Sequence, residues 1–171
     1  MKNQTNIKFE KISFAQFKND YLKLIDATAD EQKITEIYHQ ISLPRRATAG
    51  SAGYDFYSTC NIELQPNEIV KIPTGIHAQM SNDYVLCIFP RSSLGMKFQM
   101  CLTNTVGIID SDYYYADNEG HIIVSIVNRG NKVLSLNQGD RFVQGIFFKF
   151  GIAEEETVSE KRTGGFGSSG K

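Results

Sequence analysis

A mainly β chain, folded as a sandwich or barrel with a helical hairpin near its start, is what the sequence predicts. Three observations carry this. From residue 42 onward, short apolar runs recur between Pro, Gly, Asn and Asp turns. Residues 13–41 instead repeat apolar side chains at helical spacing. The last residues are crowded with Gly and Ser and too poor in apolar side chains to own a core, which predicts a flexible C-terminal arm. With 171 residues the chain suits one domain with a real core. The expected division is a helical insertion over 13–41, a β-barrel over 42–155 and an arm over 156–171.

Ile7-Lys8-Phe9-Glu10-Lys11-Ile12 alternates and predicts a first strand. Ser13 and Gln16 have the spacing of a capping box, and Phe14, Phe17, Tyr21, Leu24 and Ile25 follow on one helical face. Thr28 and Glu31 repeat the box spacing before Ile34, Ile37, Tyr38 and Ile41. These stripes are packing surfaces. Strands are then expected at 68–72, 84–89, 121–127 and 141–148, where β-branched and aromatic residues concentrate. Asn128-Arg129-Gly130-Asn131 and Asn137-Gln138-Gly139-Asp140 supply turn chemistry between them. Glu154-Glu155-Glu156 reads as a solvated linker to the arm.

Charge is balanced, with 18 Lys and Arg against 19 Asp and Glu, so no polyanion-binding surface of the duplex type is expected and nucleic acid is not a predicted partner. No apolar run is long enough to span a bilayer, and MKNQTNIKFE lacks the apolar core of a signal peptide. The expectation is a cytoplasmic protein without a membrane partner. Cys60, Cys87 and Cys101 are odd in number and lack C-x-x-C spacing, which disfavours a zinc site and a disulfide framework. His39, His77 and His121 show no metal-ligand spacing and read as structural or surface residues.

Several segments carry chemistry. Arg162-Thr163-Gly164-Gly165-Phe166-Gly167-Ser168-Ser169-Gly170 combines glycines that let main-chain N–H groups turn toward an anion, two hydroxyls and one aromatic face. Lys161 and Arg162 add positive charge. Pro90-Arg91-Ser92-Ser93-Leu94 follows a strand with a cation and two hydroxyls, a set suited to phosphate oxygens. Gly107-Ile108-Ile109-Asp110-Ser111-Asp112-Tyr113 ends an apolar run in acids and an aromatic. One carboxylate there suits proton abstraction from water and another suits a metal, although an Asp-rich turn looks the same. Ser51-Ala52-Gly53-Tyr54-Asp55 and Gly139-Asp140-Arg141-Phe142-Val143-Gln144 are individually strand ends with turns. There is no G-x-S-x-G elbow, so a Ser-His-Asp hydrolase is not supported.

In this order, Ala52 to Asp55, Pro90 to Leu94, Gly107 to Tyr113, Gly139 to Gln144 and Gly164 to Gly170 resemble the five motifs of the trimeric dUTPase family, over roughly residues 42–171. The resemblance implies a jelly-roll-like β-barrel and a homotrimer whose sites lie between subunits. It also implies Mg2+-assisted hydrolysis of dUTP to dUMP and pyrophosphate. By position, Asp110 resembles the general base, Tyr113 the ring under the deoxyribose and Asn104 the uracil reader. Arg91, Ser92, Ser93 and Gln144 resemble phosphate and water ligands. Asp55 resembles the acid that meets the metal through water, paired with Arg141. Phe166 resembles the ring stacked on uracil, while Gly167, Ser168 and Ser169 resemble the outer-phosphate loop.

Three departures stand out. The family's Arg, which stands with two residues between it and the Gly pair, is Lys161 here, with Arg162 one residue closer, so either meets the γ-phosphate. Tyr114 to Gly120 looks like an insertion that lengthens a hairpin tip. Residues 13–41 have no counterpart and lie far in sequence from the site. A dCTP deaminase shares the expected fold, but it needs a catalytic Glu where Ile126-Val127-Asn128 stands. A noncatalytic nucleotide-sensing regulator that binds partners through 13–41 is the alternative of another class.

Overall fold

The computed structural model describes residues 6–154. The predicted arm, with Lys161, Arg162, Phe166, Gly167, Ser168 and Ser169, lies outside the described residues.

The first strand β1 (Lys8–Lys11) leads into α1 (Phe14–Leu24) and α2 (Glu31–Gln40), so the helical hairpin forms where the apolar stripes place it. Ser13 caps α1 as expected, its Oγ accepting from the Gln16 N–H at 3.2 Å. The reciprocal half of the box differs. Gln16 Nε2 donates forward to Asp20 Oδ2 (2.8 Å), and the Ser13 N–H donates to Glu119 Oε2 (2.7 Å). The second predicted box is corrected outright. Asp30 is the N-cap of α2, accepting from the Lys33 N–H at 2.7 Å. Thr28 is held before the helix by Asp26 Oδ1, which accepts from its N–H and hydroxyl. A carboxylate one residue from the helix start outcompetes a hydroxyl three residues away.

The remaining strands are β2 (Arg45–Arg46), β3 (Tyr54–Tyr57), β4 (Ile62–Leu64), β5 (Ile69–Pro73), β6 (Ile76–Gln79) and β7 (Tyr84–Pro90). After α3 (Ser92–Phe98) come β8 (Met100–Leu102), β9 (Gly107–Ile109), β10 (Ile123–Asn128), β11 (Leu134–Leu136) and β12 (Arg141–Lys149). All the pairings described are antiparallel. The largest sheet runs β2-β3-β12-β7-β9, and a second runs β5-β10-β8, with β1-β6 and β11-β4 as two-stranded ribbons. This is the mainly β architecture that the turn-punctuated apolar runs predict, with the jelly-roll-like form that the family resemblance implies.

The hairpin packs on its own barrel. Phe17, Tyr21, Ile34 and Ile37 share one buried cluster with Ile12, Ile72, Ile76 and Ile122. Phe17 is wholly buried, a contribution of roughly 2–3 kcal/mol by area. Tyr38 on α2 donates its hydroxyl to the Ile12 carbonyl at 2.6 Å, and Lys11 Nζ donates to the Tyr38 carbonyl at 3.0 Å. These bonds stitch α2 to the end of β1. A Lys18–Glu31 ion pair joins the two helices, and a Lys33–Asp26 ion pair ties α2 to the loop between them.

The apparent insertion after Tyr113 is not a lengthened hairpin tip. Ser111–Tyr115 form a 3₁₀ helix, and the chain then turns back into β10, which pairs with β5 and β8 rather than β9. Gly120 closes this turn at φ +67°, and a Cβ there would meet the Tyr113 carbonyl oxygen at 2.7 Å and Tyr114 Cα at 2.8 Å. Only glycine fits that approach.

Candidate active site

Two groups of predicted residues are each brought together by adjacent strands. The first lies at the ends of β3, β12 and β7. Gln144 on β12 faces Asp55 on one side and Phe89 on the other. Asp55, almost wholly buried, accepts a hydrogen bond from Arg141 Nη1 on Oδ2 and forms an ion pair with Arg91 Nε through Oδ1, both at 3.1 Å. The pairing with Arg141 is the one the resemblance implies, and the ion pair with Arg91 adds to it. A β-bulge between Arg141 and Val143 shifts the register of β12 against β3. Arg141 thereby reaches Asp55 although its main-chain partner is Tyr57. One carboxylate between two guanidiniums leaves this corner with a net positive charge. Gln144 Nε2 donates to the Pro90 carbonyl at 3.3 Å. Gly53 makes room for it, since a Cβ there would overlap Gln144 Oε1. Ser92 and Ser93 are exposed in the first turn of α3, where Arg91 at the N-cap position contributes no side-chain cap.

The second group surrounds a cavity of about 450 Å³ lined by Leu102, Asn104, Gly107, Ile109 and Tyr113. Its architecture follows from an unusual connection. β8 and β9 are consecutive and joined by only residues 103–106, yet they do not pair. Among the described residues β8 pairs with β10, and β9 pairs with β7. The hairpin is splayed between two sheets, and its mouth opens into the cavity. Asn104 lies at the tip, where the Val106 N–H donates to its carbonyl at 2.7 Å and Thr105 takes φ 69°. Asp110 follows β9 directly and is exposed beside the cavity wall formed by Ile109. Burial, and then the nearby Asp110 charge, push the Cys87 thiol up. Tyr113 is buried, with its hydroxyl donating to the His121 carbonyl and accepting from Asn118 Nδ2, both at 2.8 Å.

Asp55, Arg91, Ser92, Ser93 and Gln144 do not line this cavity. Within one chain the group around Asp55 and the group around the cavity are therefore separate clusters.

Three wall residues escaped the sequence reading. Asp20, Lys23 and Leu24 of α1 line the same cavity, so the hairpin is not remote from the site as its distance in sequence suggests. Asp20 accepts from His121 Nδ1 at 2.6 Å, and Nε2 of that wholly buried ring accepts from the Gly75 N–H at 2.8 Å. Burial raises the Asp20 carboxyl, but the bonds from His121 and Gln16 outweigh it and hold the group below the usual carboxylate range. The signal was present, because a carboxylate between Phe17 and Tyr21 on an apolar stripe calls for a buried partner.

The barrel carries a splayed hairpin with an acid and a buried tyrosine and, in a separate cluster, an arginine-clamped carboxylate, and comparison with known proteins places the chain among the nucleotide hydrolases. The dUTPase family model matches residues 39–170, and the chain belongs to the dUTPase family. It is 43% identical over 133 residues to the deoxyuridine 5'-triphosphate nucleotidohydrolase of Lactococcus lactis subsp. lactis, covering 76% of this chain and 89% of that protein. The crystal structure of dUTPase from Streptococcus mutans superposes with a TM-score of 0.60 at 39% identity, covering 77% of this chain and 96% of that one. A mutant dUTPase from phage phi11 of S. aureus, whose structure details coordination of a structural Mg(II) ion, superposes with a TM-score of 0.63. At 18% identity over 91% of this chain and 97% of its own, it shows the shared fold.

Proposed function

We propose that this protein hydrolyses dUTP to dUMP and pyrophosphate, in sites built from three copies of the chain. The observation that carries this is the splayed β8–β9 hairpin. Two consecutive strands bonded to different sheets leave facing main-chain edges able to read a base as a third strand would. Uracil enters that gap, with Asn104 at the tip. Cytosine presents the wrong donors, and a 5-methyl group crowds the narrow mouth. Tyr113 packs under the deoxyribose and leaves no room for a ribose 2′-OH.

Asp110 takes a proton from water as the water oxygen bonds to the α-phosphorus. The bond from that phosphorus to the bridging oxygen breaks, and pyrophosphate leaves with the electron pair. Such chemistry needs positioning and charge neutralisation more than covalent catalysis. Arg91, Ser92, Ser93 and Gln144 supply phosphate and water contacts. Since these lie outside the cavity of their own chain, they serve the cavity of a neighbouring copy, and the arm with Lys161 or Arg162, Phe166, Gly167, Ser168 and Ser169 closes it. Mg2+ carried on the triphosphate supplies charge neutralisation when bound. Among the described residues no three His, Cys, Asp or Glu side chains gather as a cage, which suits a cation delivered by the substrate. Asp55, with lone pairs beyond those its arginines use, would meet the cation's water shell.

No observation favours the deaminase. The stretch Ile126-Val127-Asn128, where that enzyme needs Glu, has none, and its Asn128 is wholly buried and closes a turn. Its Nδ2 donates to the Leu64 and Lys132 carbonyls at 2.8 Å, and its Oδ1 accepts from the Gly130 N–H at 3.0 Å. No helix among the described residues is long and apolar enough to cross a membrane. The test is pyrophosphate release from dUTP, UTP, dTTP and dCTP with and without Mg2+. Mg2+-dependent release from dUTP, with the others far slower, is expected. Ammonia release from dCTP, or equal turnover of UTP and dUTP, would overturn the reading.

A further inference from the structure

We infer that Asp20 is a positioning residue for the nucleoside pocket, acting through His121 on Tyr113, and that α1 is thereby part of the site. The inference rests on the dUTP-hydrolysing reading of the cavity. The family match begins at residue 39, after α1 and most of α2, so it assigns Asp20 nothing.

The linkage is an unbroken series of hydrogen bonds. A main-chain N–H only donates, so the bond from Gly75 fixes His121 Nε2 as the acceptor and leaves the ring hydrogen on Nδ1. That hydrogen goes to Asp20 Oδ2 at 2.6 Å, and Gln16 supports the same oxygen from the preceding turn of α1. Both ring nitrogens of a wholly buried imidazole are thus committed. The ring is a fixed strut rather than a proton shuttle. The carbonyl of the same residue accepts the Tyr113 hydroxyl at 2.8 Å, and the His121 N–H donates to the Asn118 carbonyl at 3.1 Å. Asn118 in turn donates its side-chain amide to the Tyr113 hydroxyl. The rotation of the tyrosine that packs under the sugar is therefore set by a carboxylate on an element outside the family match.

Asp20, Lys23 and Leu24 also line the same cavity as Asn104 and Tyr113. Removing the Asp20 carboxylate strands the buried His121 Nδ1–H behind the cavity and loosens one of the bonds that hold the residue carrying the Tyr113 anchor. Asp110 keeps an anchor that does not pass through His121, because β9 directly before it is paired with β7. The consequence belongs to binding and sugar discrimination rather than to the chemical step.

The experiment compares wild type, Asp20→Ala, Asp20→Asn and Asp30→Ala for kcat and KM with dUTP and UTP, alongside thermal unfolding. Asp30→Ala removes the α2 cap without touching His121, and so reports simple loosening of the hairpin. Asp20→Ala is expected to raise KM for dUTP roughly tenfold with kcat within about threefold, and to narrow the dUTP-to-UTP preference. Asp20→Asn keeps an acceptor for Nδ1–H and is expected to fall between, with KM up about threefold. Asp30→Ala is expected to lower the Tm and leave KM and preference as in wild type. If neither Asp20 variant differs from Asp30→Ala in KM or preference, the positioning role is overturned while wild-type turnover keeps the enzymatic reading. Wild-type protein that leaves dUTP intact overturns both.

Discussion

Glu119 caps helix α1 across 106 residues of sequence, its carboxylate accepting from both the N–H and the hydroxyl of Ser13 at 2.7 Å. The carboxylate therefore sits where the helix dipole favours a negative charge. Glu119 takes φ 58° beside Gly120, and its carbonyl oxygen lies 2.7 Å from His77 Nδ1. Partial burial raises its carboxyl, but the two bonds from Ser13 outweigh this and hold it below the usual glutamate value. Because the folded value is depressed, the stabilisation is complete above the ordinary glutamate value and is lost as pH falls through the depressed one. Glu119→Ala should cost about 1–2 kcal/mol in denaturant unfolding at pH 7, and the difference from wild type should shrink in acid. A penalty that does not change with pH would contradict the charged cap.

The loop between the helices offers a sharper titration. The Thr28 hydroxyl, the Lys33 ammonium and the Thr28 N–H hold the Asp26 carboxyl at about 2. Its contribution is present above the ordinary aspartate value and is lost as pH falls through about 2. Side-chain NMR titration should place Asp26 there in wild type and nearer the ordinary value in Thr28→Val. An Asp26 that titrates ordinarily in wild type would show that Thr28 does not fold back onto it.

The two clusters make a prediction about assembly. Asp110→Asn and Gln144→Ala change residues of different clusters, and in the proposed assembly the two clusters that complete one site come from different copies. Each variant alone should be nearly inactive, and the protein should sediment as a trimer. Co-refolded in equal amounts, the two should regain about a quarter of wild-type activity, since half of the bases and half of the glutamines remain intact. Failure of a confirmed mixed assembly to regain activity would place both residues in the same copy's site.

Much of this was legible in the sequence because local rules govern it. Predicted strands at 68–72, 84–89, 121–127 and 141–148 are observed at 69–73, 84–90, 123–128 and 141–149. There, alternation or a buried apolar run and flanking turn residues agree. The α1 stripe was equally plain. The cap of α2 was not, since Thr28 and Asp30 both suit a cap by type, and the choice between them depends on Asp26 and Lys33. The splaying of residues 100–109 was invisible for a different reason. A short apolar run shows that a strand forms, but its partner depends on which sheet edge is open. The Asp20–His121 pair spans 101 residues, and no local pattern encodes it.

The most direct measurement is pyrophosphate release from dUTP by wild type and Asp110→Asn in one Mg2+-containing assay, with binding of a non-hydrolysable dUTP analogue measured on both. The expectation is ready turnover by wild type, a fall in kcat of roughly 100-fold or more in the variant, and analogue binding that is nearly unchanged. Near-normal turnover by Asp110→Asn would contradict the assignment and move the base elsewhere, with Asp112 the next carboxylate to test.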